Sequence, residues 1–209
     1  MLAALARIII ILMKLWTIQT PDVWQTLQSQ GVYRATEQGI PDESFEKPYR
    51  WMIQQLAQHV QRPAKCYWPI WAWHQWEDRG KRKPDLRASS HLEKGKTGVR
   101  MEIEVDEAKV LLSDFDLWHY VLNYWYLPTT EKEGEDFEAE VKRHGLSFYE
   151  TKPLPFPYHN RIENSWKKIF DLDWSAKDIS CKRDHKSIQA VFWELRVDQV
   201  KNVDVFTAR

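Results

Sequence analysis

Cysteine is nearly absent: Cys66 and Cys181 are the only two, and no CxxC spacing occurs. Two isolated thiols exclude a disulfide scaffold and a zinc ribbon, and they read as reduced cytosolic thiols. Glycine is scarce too, at seven residues, and none forms GxGxxG, a Walker loop or GxSxG. The commonest nucleotide-binding and hydrolase signatures are therefore missing. The seven histidines are scattered without HxH or HExxH, so no metal is expected. Net charge is zero, which speaks against broad electrostatic binding to nucleic acid. A long apolar run is lacking as well. The Ile8–Leu12 stretch follows Arg7, is too short to span a bilayer, and has no small-residue cleavage site after it. Residues 1–12 are expected to be an upstream extension or apolar tail, residues 13–209 a single globular domain, and no membrane partner is expected.

Tryptophan is abundant instead. Twelve accompany eight tyrosines and eight phenylalanines, and each buried ring removes about 150–250 Å² from water. Most are expected to be core, but an indole is also a flat wall for a base, a sugar or a nicotinamide. Charge is uneven despite the zero sum. From Glu77 to Arg100 there are eight Lys/Arg against four Asp/Glu, and from Glu102 to Glu140 two against twelve. Arg79, Lys81, Arg82, Lys83 and Arg87 make the basic stretch a candidate for a phosphate-bearing ligand or nucleic acid, or else a solvated loop facing its acidic neighbour.

Local patterns predict an α+β chain with strands at both ends and helices between. Leu15–Gln19 alternates as a strand, and Thr20-Pro21-Asp22 opens a helix that Gly31 closes. Val32–Ala35 is extended, Thr36–Lys47 a polar loop, and Tyr49–Val60 a helix. Tyr67–Trp76 reads as a strand with Trp71, Trp73 and Gln75 on one face and Ile70, Ala72, His74 and Trp76 on the other. Gly80–Gly98 is a charged loop, followed by strands at Val99–Val105 and Val110–Leu112. Helices are predicted from Asp114 to Tyr126, over Glu131–Arg143 and over Arg161–Phe170. Ile188–Val197 and Val203–Thr207 read as a closing hairpin.

Two places hold candidate chemistry. Asp116 and His119 lie three apart on a helix, where a carboxylate can orient an imidazole, but capping by Asp114 plus one surface pair is the favoured account of the pattern, since no nucleophile stands beside them. Glu194 sits in Gln189-Ala190-Val191-Phe192-Trp193-Glu194-Leu195, among apolar neighbours that raise the desolvation cost of its charge.

The strings Leu15-Trp16-Thr17-Ile18-Gln19-Thr20, Gly31-Val32-Tyr33-Arg34-Ala35, Pro69-Ile70-Trp71-Ala72-Trp73, Leu111–Asp116 and Phe192-Trp193-Glu194-Leu195 resemble an uncharacterised bacterial family, domain of unknown function 3841, along nearly the whole chain. That resemblance implies no activity. The two ends are also similar to ADP-ribosyltransferases, particularly the DNA-modifying toxin branch. This second resemblance implies a split β-sheet flanked by helices that clamps NAD as a substrate. Glu194 would be the late-strand catalytic glutamate, Thr17 and Gln19 would stand in the first-strand place, Arg34 would hold the cofactor, and Trp71 or Trp73 would stack on nicotinamide. Thr17 and Gln19 depart from the His or Arg that those enzymes carry. Beside this transferase reading stands a non-catalytic one: a module taking a small ligand, nucleobase or nucleic acid in an aromatic pocket, or binding a protein.

Overall fold

The computed structural model describes residues 10–37, 45–77, 83–88, 91–148 and 152–209. The elements run in the order β1 (Leu12–Gln19), α1 (Pro21–Gln30), β2 (Val32–Arg34), α2 (Glu46–His59), β3 (Ile70–Gln75), β4 (Thr97–Asp106), β5 (Leu111–Asp114), α3 (Phe115–Leu122), α4 (Glu131–Arg143), α5 (Tyr158–Trp166), β6 (Ile188–Phe192), β7 (Glu194–Arg196) and β8 (Val200–Thr207). This is an α+β architecture, with six strands in one sheet, ordered β5-β6-β3-β1-β4-β8, and β2 paired with β7 in a second. Each of these ladders runs antiparallel.

Local signals explain several elements. Gly31 adopts φ +73° and donates its N–H to the Leu27 carbonyl, the left-handed cap expected of it. Thr20 precedes Pro21 as expected but makes no side-chain cap bond. Asp114 caps α3 by accepting from the backbone N–H groups of Asp116 and Leu117, at 3.0 and 3.2 Å.

Other expectations are corrected. The expected C-terminal hairpin is not formed, since β7 pairs with β2 while β8 pairs with β4. The strand expected over Ile188–Val197 is broken at Trp193, which hands the chain from one sheet to the other. α3 stops at Leu122, and the helix expected over Arg161–Phe170 starts at Tyr158 and ends in a 3₁₀ turn, Lys167–Phe170. The strand expected at Leu15 begins earlier, with Leu12 already paired to Asp106.

The six-stranded sheet is covered on both faces. Leu15, Ile70, Ala72, Val99, Met101, Ile103, Ala190 and Phe192 turn one face toward Leu27 of α1. The other face contributes Val191, with Trp71 and Leu111 alongside, to a core built by α2, α3, α4 and α5. Six of the twelve tryptophans (16, 51, 68, 118, 166 and 193) are buried, and Trp24, Trp71 and Trp174 pack partly buried against the two cores, so packing accounts for most of that unusual composition. No helix among the described residues is long and apolar enough to cross a membrane.

Candidate functional site

Antiparallel pairing puts directly opposed side chains on one face. Ser113 opposes Gln189, Gln189 opposes Trp73, Trp73 opposes Trp16, and Trp16 opposes Glu102. One row of side chains therefore crosses the sheet on its helix-covered face. In the adjacent row Trp71 opposes Val191, which in turn opposes Leu111. The Trp71 ring lies 5.3 Å from Trp118 of α3 and 5.4 Å from Tyr49 of α2. Trp73 meets Phe115 at 5.0 Å and Trp76 edge-on at 4.5 Å.

Trp76 was expected on the opposite face from Trp73. A register shift between Trp73 and Gln75 interrupts the alternation, and bulges of this kind re-aim side chains. Gln75 turns inward and donates to the carbonyls of Arg183, Asp184 and Lys186. Trp76 joins the wall.

The polar atoms of this wall divide in two. At one end Trp16 Nε1 donates to Glu102, whose carboxylate also takes Lys14 at 2.7 Å and is held below the usual range by that hydrogen bond. Towards the other end, Trp71 Nε1, Trp76 Nε1, Ser113 Oγ and Gln189 Oε1 are buried with no hydrogen-bond partner among the described residues. Leaving one such group unpaired costs about 1–3 kcal/mol, and native interiors contain few of them.

Trp76 lines a cavity of about 530 Å³ together with Lys83, Arg87 and Arg100 and the acidic Glu77 and Asp85, and Lys83 pairs with Asp204 at 3.5 Å. Arg100 is held by Asp204 and the Pro84 carbonyl, and Arg87 by Asp85. Arg100 in turn keeps the Asp204 carboxyl below its ordinary range. Arg79, Lys81 and Arg82 lie outside the described residues.

The remaining candidates fall elsewhere. Thr17 opposes Met101, so its side chain belongs to the other face; its hydroxyl donates to the Trp71 carbonyl at 2.8 Å and accepts from Gln19 at 2.7 Å. Thr17 and Gln19 thus stitch β1 to β3. Arg34 and Glu194 oppose each other in the small sheet and form an ion pair, with nitrogen–oxygen distances of 2.8 and 2.9 Å and partial exposure. Burial pushes the neighbouring Cys66 thiol up, Glu194 adds to this, and Arg34 opposes it. Arg34 and Glu194 belong to the two-stranded sheet, whereas Trp73 belongs to the six-stranded one. His119 Nδ1 contacts the Phe115 carbonyl at 3.1 Å rather than Asp116. Asp116 is raised, by burial first and by Asp114 next.

Ser113, Gln189 and Lys186 were not singled out from the sequence. Lys186 is fully buried and donates to Asp114 at 2.7 Å, to the Trp174 carbonyl and to Ser180 Oγ, both at 2.9 Å. A polar residue inside an apolar strand carries no motif, and only the register reveals which polar atoms share a row.

The fold and the site define an antiparallel α+β protein with a wall of tryptophans, unpaired buried polar atoms beside it, and a flanking cavity lined by basic and acidic side chains. The chain belongs to the family described as domain of unknown function (DUF3841), whose model matches residues 14–201. Comparison with curated proteins and with solved structures gave no match.

Proposed function

We propose that Trp71, Trp73 and Trp76 wall a slot in which this protein binds a small planar heteroaromatic ligand of the nucleotide class. The observation that carries this reading is the set of unpaired atoms under the indoles: Trp71 Nε1 is a donor, Gln189 Oε1 an acceptor and Ser113 Oγ either. A ring with both donor and acceptor edges satisfies such a set. Lys83, Arg87 and Arg100 line the cavity on its flank, where a phosphate would compete with Asp85 and Asp204 for their charge. We place this activity in the cytoplasm, a reading supported by both cysteines being free.

A second reading is NAD-dependent ADP-ribosyl transfer, favoured by one observation: Glu194 is a carboxylate held in place by Arg34 and still partly exposed. In it Glu194 steadies the charge that develops on the ribose as nicotinamide leaves.

The test is titration of the protein with NAD, AMP and the free nucleosides, followed by tryptophan fluorescence and calorimetry. Ser113→Ala and Gln189→Leu are expected to weaken ligand binding at least tenfold. Removing an unpaired polar atom is also expected to leave stability unchanged or slightly raised. A Ser113→Ala variant that is destabilised by 1 kcal/mol or more and shows no binding difference means that ordered water occupies the slot. Nicotinamide release that disappears in Glu194→Gln selects the transferase reading. Binding that weakens steeply with salt selects a polyanionic partner such as a single-stranded nucleic acid.

A further inference from the structure

A second candidate site lies apart from the tryptophan wall. It is a groove of about 820 Å³ between α4 and the segments around Trp125 and Phe148. Its walls mix polar and apolar groups, with Tyr120, Trp125, Tyr126 and Phe148 as the aromatic part, and Trp125 is 46% exposed. Its rim is acidic. Glu131, Glu135 and Glu138 of α4 border it, and Asp178 stands across from them.

Spacings of four and three residues put the three glutamates on one side of the helix, over about 10 Å of its length. Like charges at those spacings repel one another and weaken a helix. None of the three has an ion-pair partner among the described residues, whereas Glu133 and Glu140 on the same helix are both engaged. The helix thus keeps a repulsive stripe along the edge of an aromatic groove.

The far side of α4 shows what this chemistry holds. At 100° per residue Glu140 is half a turn around the helix from Glu131. There the Arg161 guanidinium donates twice to Glu140, at 2.9 Å each, and lies 4.6 Å above the Phe137 ring. A glutamate of α4 and an aromatic ring together clasp an arginine, by charge-assisted hydrogen bonds and a cation–π contact. The groove side repeats the combination of α4 glutamates and aromatic rings without the arginine.

We propose that the groove receives a basic peptide segment of a partner protein, its arginine or lysine side chains meeting Glu131, Glu135 and Glu138 and its apolar side chains filling the aromatic wall. The acidic rim selects cationic side chains. The extent of the aromatic wall selects a chain that also carries hydrophobic groups, which a linear polyamine does not.

The experiment measures anisotropy of a fluorescein-labelled octapeptide alternating arginine with leucine, at low and at physiological salt, using the full chain. Spermine and an octapeptide alternating glutamate with leucine serve as competitors. Saturable binding is expected, tightened at low salt and not displaced by the acidic peptide. Glu135→Gln/Glu138→Gln and Trp125→Ala are each expected to weaken it tenfold or more. The charge variant melts at an equal or higher temperature, because it relieves repulsion, so loss of binding cannot be ascribed to unfolding. Absence of binding, or binding that ignores both variants, overturns the proposal. Displacement by spermine at concentrations matching the peptide also overturns it, by making the groove a polyamine site. These readings do not depend on nucleotide binding at the tryptophan slot, so either conclusion can fail alone.

Discussion

At the scale of single residues, the most consequential group is one whose sequence neighbourhood, Asp184-His185-Lys186-Ser187, reads as a solvated turn. Lys186 is fully enclosed, and all three of its N–H bonds are used, on Asp114, the Trp174 carbonyl and Ser180. Asp114 spends its other oxygen on the first turn of α3. The ammonium therefore compensates a carboxylate that fixes the start of a helix, directly beside Ser113 of the slot. Replacing one partner of a buried pair leaves the other charge unpaired, at a cost of about 3–5 kcal/mol. Lys186→Met is accordingly expected to lose about that much stability in urea unfolding, and to weaken ligand binding at the slot through displacement of α3. A loss below about 1 kcal/mol would mean that water reaches Asp114 and that the pair is not the anchor described. Ser113 and Gln189 were illegible for a related reason: whether a polar atom is satisfied depends on neighbours from three strands, and no local pattern encodes that.

Elements were more legible than sites, and where they failed the reason is non-local. α4 was legible with its bounds, Glu131–Arg143, and the structure adds its cap, Thr130 accepting from the Glu133 N–H, and its buried side, Phe137 and Val141. The Trp71 and Trp73 alternation was readable, but the register shift before Gln75 was not, because a bulge is set by pairing with β6. Likewise β7 and β8 look like a hairpin locally, while β2 and β4 outcompete that pairing. Within α4, Glu133 makes a testable contribution to stability. Burial acts to raise its carboxyl, but hydrogen bonds from Thr129 and Tyr126 prevail and hold it down to about 2, against an ordinary 4.5. Its folded-state value is depressed, so its stabilising effect is fully present above about pH 5 and is lost as pH falls toward 2. Melting temperature recorded from pH 6 to 2 should fall through that window, and Glu133→Gln should flatten the fall. Parallel curves for the two proteins would contradict the assignment. Glu133 holds Tyr126 in the other direction: burial first, and that hydrogen bond next, push its phenol up to about 12.

For the whole molecule, the question is whether two cores make one cooperative unit. One lies between the sheet and α1, the other between the sheet and α2–α5, and they share β3 and β6, whose side chains alternate between them: Ile70, Ala72, Ala190 and Phe192 to one, Trp71 and Val191 to the other. A sheet that is the floor of both cores cannot lose one without exposing apolar surface to water on that side. Trp193 adds a second coupling, because it carries the chain from β6 into β7, is 2% exposed, donates Nε1 to the Val60 carbonyl at 2.9 Å, and lies beneath Arg62 at 5.4 Å. Trp193→Ala is expected to cost about 3–5 kcal/mol, the range for emptying a buried aromatic site. Trp193→Phe keeps much of the ring but leaves the Val60 carbonyl without that donor, and is expected to cost about 1–3 kcal/mol. If the shared sheet binds the cores into one unit, far-ultraviolet and near-ultraviolet circular dichroism will give coincident urea transitions in the parent chain and in Trp193→Phe. In Trp193→Ala the midpoint should move while the two probes stay together. Should the near-ultraviolet signal, dominated by the tryptophans of the helical side, melt first, the helices of that core would form a separate unit resting on the sheet, and the slot between them would open before the protein unfolds.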